Sequence, residues 1–153
     1  MRIASRVLAA CEYYESNHRE VAHAIKESNP KAIGEAARLL RAMLPSGKVL
    51  LVPVPSHTGR ATYTLTLAKA IGAPVFDVLR SNPREQLYTR KLRGEQPKPE
   101  ELGLYLSAPI PEGWQVLFVD NVIGTGTTAK ACRMAVGRGT LLAYAIDSTN
   151  YQG

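Results

Sequence analysis

The sequence has little of what staples small proteins or ties them to a membrane. Only two cysteines occur in 153 residues. Cys11 and Cys132 sit inside apolar patterns, where free buried thiols fit better than a disulfide framework or a metal pair. The histidines, His18, His23 and His57, show no ligand spacing with them, so no zinc site is expected. No apolar run approaches a bilayer span and the N-terminus lacks a signal-peptide pattern. No membrane role is therefore expected, and the cytoplasm is the expected compartment. The chain also lacks internal repeats, low-complexity tails and any Gly-x-x-x-x-Gly-Lys-Ser/Thr run, which sets aside solenoids and Walker-type ATPases.

What is present describes a globular chain. Hydrophobic residues make up 45% and charged residues 21%, a balance that excludes disorder, and the length fits one domain over residues 1–153 with a real core. The net charge of +6 favours anionic partners without choosing among them. Much of the positive charge is concentrated. Arg80, Arg84, Arg90, Lys91, Arg93 and Lys98 fall in one segment, opposed only by Glu85 and Glu95, with Tyr88 the single ring inside it. A flexible anion-binding loop explains this segment at least as well as a nucleic-acid face.

The most informative stretch is Val116-Leu117-Phe118-Val119-Asp120-Asn121-Val122-Ile123-Gly124-Thr125-Gly126-Thr127-Thr128. Its four leading apolar residues read as a strand buried on both faces, and a helix-forming run from Thr128 to a capping Gly137 follows. That places the intervening turn at the carboxyl end of a parallel strand, where open α/β sheets bind ligands. Gly124 and Gly126 let successive N–H groups converge on an anion, Thr125, Thr127 and Thr128 add hydroxyls, and the helix directs its positive end there. Asp120 stands one loop-length away, able to accept bonds from sugar hydroxyls. A phosphate site beside a diol site describes a ribose 5-phosphate.

These residues resemble the phosphoribosyl pyrophosphate (PRPP) signature of the type I phosphoribosyltransferases, and the Val52-Pro53-Val54-Pro55 run resembles the competence-associated branch of that family. The resemblance implies a magnesium-dependent enzyme that transfers the 5-phosphoribosyl group of PRPP to a nitrogenous base or amine and releases pyrophosphate. It implies that Gly124, Thr125, Gly126, Thr127 and Thr128 hold the 5-phosphate, and that Asp120 and Asn121 hold the ribose hydroxyls, with Asp120 also facing magnesium. The family's second acid is Asn121 here, which keeps an acceptor but loses the charge. Val54, Pro55, Ser56 and His57 occupy the place of the pyrophosphate loop. His57 would reach pyrophosphate or stand as a solvated loop histidine. The basic segment matches a mobile loop that closes over PRPP, with Arg90, Lys91 or Arg93 brought to the reaction. Tyr151, in the short tail, is the candidate for stacking on the acceptor base. A homodimer is expected. The alternatives are a non-catalytic PRPP or nucleotide sensor on the same fold, suggested by Asn121, and a nucleic-acid-associated factor using the basic segment.

The remaining elements complete an α/β pattern. Residues 1–45 read as a helical N-terminal segment: Ile3, Val7, Ala10, Cys11 and Tyr14 fall at helical spacing, Asn17 with Glu20 resembles a capping box, and Asn29-Pro30 starts a third helix. An α/β core follows over residues 48–147. Val49–Val52 reads as a buried strand, Ala61–Ile71 as a helix ended by Gly72, Ala73–Leu79 as a short strand, Leu102–Leu106 as an edge strand and Thr140–Ile146 as a final strand. Together these predict a doubly wound, mainly parallel sheet of about five strands with flanking helices.

Overall fold

The computed structural model describes residues 2–4 and 6–153, with side chains from Arg6 onward. The chain opens with two strands, β1 (Arg2–Ala4) and β2 (Val7–Glu12). This corrects the helix expected over Ile3–Tyr14. The run Val7-Leu8-Ala9-Ala10-Cys11 satisfies a helical stripe and a strand buried on both faces equally well, and tertiary pairing decides. Val7 and Ala9 enter the core on one side of the sheet, while Leu8, Ala10 and Cys11 pack on the other.

Helices α1 (His18–Lys26) and α2 (Pro30–Arg41) follow. Asn29 caps α2 as its sequence suggests, its Oδ1 accepting the Ala32 N–H at 3.1 Å. Asn17 precedes α1 but its side chain makes no capping bond, so the Asn17–Glu20 box does not form. Strand β3 (Val49–Pro53) is buried throughout, and α3 (Tyr63–Ile71) ends at Gly72, whose φ of 100° is the left-handed cap that glycine adopts without strain. The expected strand over Ala73–Leu79 is reduced to one parallel bridge, Leu51 to Val75, before β4 (Leu79–Ser81).

The basic segment is not a bare loop. It holds α4 (Leu87–Leu92) and a single 3₁₀ turn (Pro99–Leu102), and β5 (Leu104–Leu106) returns antiparallel to β4. The chain then enters β6 (Gln115–Ile123), α5 (Thr127–Val136) and β7 (Thr140–Ile146).

The main sheet has the order β1-β2-β7-β6-β3. The ladders β2/β7, β7/β6 and β6/β3 are parallel, and β1 adds an antiparallel edge. The fold is thus α/β, with a mainly parallel sheet and flanking helices. One face packs Leu51, Leu117, Val119, Leu142 and Tyr144 against α1, α2 and α3. The other packs Val52, Phe118, Leu141 and Ala143 against α5 and the β4/β5 hairpin. Because α3 and α5 leave neighbouring strands toward opposite faces, a crevice opens between the carboxyl ends of β3 and β6. Among the described residues no helix is long and apolar enough to cross a membrane.

Candidate functional site

A cavity of about 290 Å³ occupies that crevice. Asp120 and Thr128 reach it from β6 and α5, the Val54–His57 loop from β3, Lys26 from α1, Tyr63 from α3 and Arg84 from the segment after β4. Parallel pairing of Pro53 with Val119 brings the first two groups together across more than sixty residues of sequence.

β6 runs four residues further than the apolar run suggests, through Asp120, Asn121 and Val122 to Ile123, so the turn proper is Gly124–Gly126. Gly126 has a φ of 95° and stands as the N-cap of α5. The N–H groups of Gly124, Thr125 and Gly126 make no hydrogen bond among the described residues. Thr127 and Thr128 open α5, whose first N–H groups have no partner inside the helix. Five successive donors at a helix N-terminus make an anion cradle. The Thr125 and Thr127 hydroxyls bond each other at 2.8 Å, and of residues 124–128 it is Thr128, in the first turn of α5, that lines the cavity.

The β3 loop offers less than its sequence implies. The Val54 N–H bonds the Val119 carbonyl at 3.0 Å, Pro55 has no N–H, and the Ser56 N–H bonds the Arg60 carbonyl at 3.0 Å. Among the described residues, only His57 of the four keeps its N–H without a partner. The loop is held rigid: the buried Thr64 hydroxyl donates to the Val54 carbonyl at 2.6 Å, and Gly59 lies so close to the Ser81 carbonyl that a Cβ would collide with it.

Asp120 is the one carboxylate lining the cavity. Burial pushes its pKa up to about 6, against the opposing pull of the Asn121 N–H, Lys26 and Arg84. The same burial, with Asp120 beside it, holds the Tyr63 phenol well above its ordinary value. Arg84 is tied in place by its own N–H, which donates to the His57 carbonyl at 2.8 Å. Its Nη1 donates to the Glu85 carbonyl at 3.0 Å, and its buried Nε has no hydrogen-bond partner among the described residues. Burial and then Arg90 lower the guanidinium's proton affinity. A cation with an unused donor in a cavity is a ready anion contact.

Several residues singled out from the sequence fall elsewhere. Asn121 leaves β6 on the opposite face, its Nδ2 donating to the Ala22 carbonyl of α1 at 3.2 Å. Arg90 bonds Glu95 at 3.0 Å and Glu101 at 2.6 Å, while Arg93 clasps Glu85 at 2.6 and 2.8 Å and Glu95 at 2.7 Å. Neither lines the cavity, nor does the exposed Lys91. Tyr151 packs on Gly126 and lines a second cavity. Conversely, Lys26, Tyr63 and Arg84 were not identified as site residues from sequence. Arg84 was visible only as one of several cations, and nothing local marks Lys26 or Tyr63.

No protein-family model and no curated protein sequence matches the chain. A solved structure described as that of the allosteric regulatory enzyme of purine biosynthesis aligns with 75% of this chain at 20% identity and a TM-score of 0.41. The aligned region is 25% of that enzyme's chain, so the present sequence matches about a quarter of it.

Proposed function

We propose that the crevice binds PRPP and that the protein transfers its 5-phosphoribosyl group to a small nitrogenous acceptor, releasing pyrophosphate. The observation that carries this reading is the meeting in one cavity of Asp120, Thr128 and the His57 loop, with the unpartnered amides of the 124–126 turn leading in sequence to Thr128 and Gly126 lining the second cavity.

In this reading the amides from Gly124 to Thr128 and the Thr128 hydroxyl hold the 5-phosphate. The ionised Asp120 accepts from the ribose hydroxyls and stabilises positive charge developing at C1′. The His57 N–H and the Arg84 guanidinium hold the diphosphate as the C1′–oxygen bond breaks and its electron pair leaves with pyrophosphate. The acceptor nitrogen forms the new bond to C1′, so no protein nucleophile is required. The apolar wall of Leu87, Leu102 and Leu104, with Tyr88 at the rim, suits an acceptor ring better than Tyr151 does.

Among the described residues no group of three or more His, Cys, Asp or Glu gathers to hold a metal. The donor set fits magnesium carried in by the diphosphate, with Asp120 as the chain's contribution. When bound, magnesium neutralises charge on the leaving group.

A second reading, a PRPP or nucleotide sensor without turnover, is favoured by one observation: Asn121 turns away, leaving a single acid in the cavity. Pyrophosphate release measured across a panel of nitrogenous acceptors separates the two. Acceptor-dependent release supports the transferase, and PRPP binding with no release supports the sensor.

A further inference from the structure

A second cavity of about 180 Å³ lies at the start of α5 and shares no lining residue with the first. Arg6, Lys130 and Arg133 line it together with Gly126, Ala129, Tyr151 and Gly153. Lys130 and Arg133 are three residues apart on α5 and so neighbour each other on its surface, and Arg6 enters from the residue before β2. None of the three cations has a carboxylate partner among the described residues. This contrasts with the basic segment, where Arg90 and Arg93 are saturated by glutamates.

The cavity is built rather than incidental. The Tyr151 ring packs directly on Gly126, where a Cβ would come within 2.9 Å of the ring. The Gln152 N–H bonds the Thr125 carbonyl at 2.9 Å, and the Lys130 ammonium donates to the Gln152 carbonyl at 3.2 Å. Arg133 is half-buried, its guanidinium makes no hydrogen bond among the described residues, and its proton affinity is lowered by burial and then by Arg6. Like charges gathered with no ion-pair partner among the described residues cost free energy that a dianion would recover.

We propose that Arg6, Lys130 and Arg133 form a second anion site, for a phosphate ion or phosphate monoester, separate from the Asp120 crevice. Its wall includes Gly126, the N-cap of α5, so an occupant would bear directly on the turn that ends β6. The proposal stands on the cations and the cavity and does not rest on the PRPP reading.

The test is titration of inorganic phosphate, and in parallel glycerol 3-phosphate, followed by backbone amide NMR shifts. The expected result is saturable shifts at Ala129, Lys130 and Arg133 in wild type and in Asp120→Asn, with affinity weakened about tenfold or more in Arg133→Gln and in the exposed Arg6→Gln. Tighter binding of the ester would assign the site to monoesters, and equal binding to the free ion. Shifts confined to the Asp120 cavity, or affinity unchanged in both arginine variants, would overturn the proposal.

Discussion

Asp120 and Asn121 are adjacent in sequence but leave β6 on opposite faces. The Asp120 carboxylate lines the crevice and accepts the Asn121 N–H at 2.8 Å, while the Asn121 amide is spent on the Ala22 carbonyl of α1. One is a candidate ligand group, and the other ties β6 to α1.

That division predicts different costs. Asn121→Ala removes one half-buried hydrogen bond and should destabilise the fold by about 1 kcal/mol while changing PRPP affinity less than about twofold. Urea denaturation and calorimetry on the same variant check both halves. A large loss of affinity with unchanged stability would contradict the assignment.

The raised pKa of Asp120, about 6, gives a signed pH dependence. Below the ordinary aspartate value of 3.8 both folded and unfolded chains hold the proton. Between 3.8 and about 6 the unfolded chain releases it first, so this group's contribution to stability falls as pH rises through that window. Above the window the folded protein carries the cost of a buried charge. Asp120→Asn should therefore be more stable than wild type at pH 7, by up to about 3 kcal/mol, and should lose this pH dependence. Ligand affinity runs the opposite way, rising with pH up to about 6 as the carboxylate ionises and flat above.

Arg84 is expected to act on ligand more than on folding, because its buried Nε has no partner among the described residues and its guanidinium loses only one exposed bond, to the Glu85 carbonyl at 3.0 Å. Arg84→Met should keep or raise the melting temperature and weaken pyrophosphate binding by about tenfold to a hundredfold. Arg93→Ala, which breaks only surface ion pairs, should leave that affinity within about twofold. Calorimetry of pyrophosphate into both variants distinguishes the two arginines.

Gly126 faces two constraints at once, its φ of 95° and the Tyr151 ring. Gly126→Ala should cost about 1–2 kcal/mol from backbone strain alone. Displacement of Tyr151 adds to it. In a Tyr151→Ala background only the strain should remain, which a double-mutant cycle by chemical denaturation measures.

The parts of this structure legible in the sequence are those fixed by local chemistry. The buried run before Asp120, the left-handed caps at Gly72 and Gly137, and the Asn29 cap of α2 each follow from a few neighbouring residues. The strand identity of Val7–Glu12 was not legible, because a short apolar run fits two periods and only its pairing with β7 resolves them. The same limit governs the site. Asp120, Thr128 and the His57 loop, which their motifs single out, line one cavity, but Lys26, Tyr63 and Arg84 join them there only through packing of α1, α3 and the segment after β4. Arg90 and Arg93 attracted attention by charge, and that charge is neutralised by Glu85, Glu95 and Glu101 across turns no local pattern announces.

The most direct test of the central claim is calorimetric titration of PRPP with magnesium into wild type and Asp120→Ala at pH 7.5. The account predicts one saturable site in wild type and an affinity at least about tenfold weaker in the variant, from the loss of charge-assisted bonds to the ribose. No binding to wild type, or equal binding to both proteins, would contradict it.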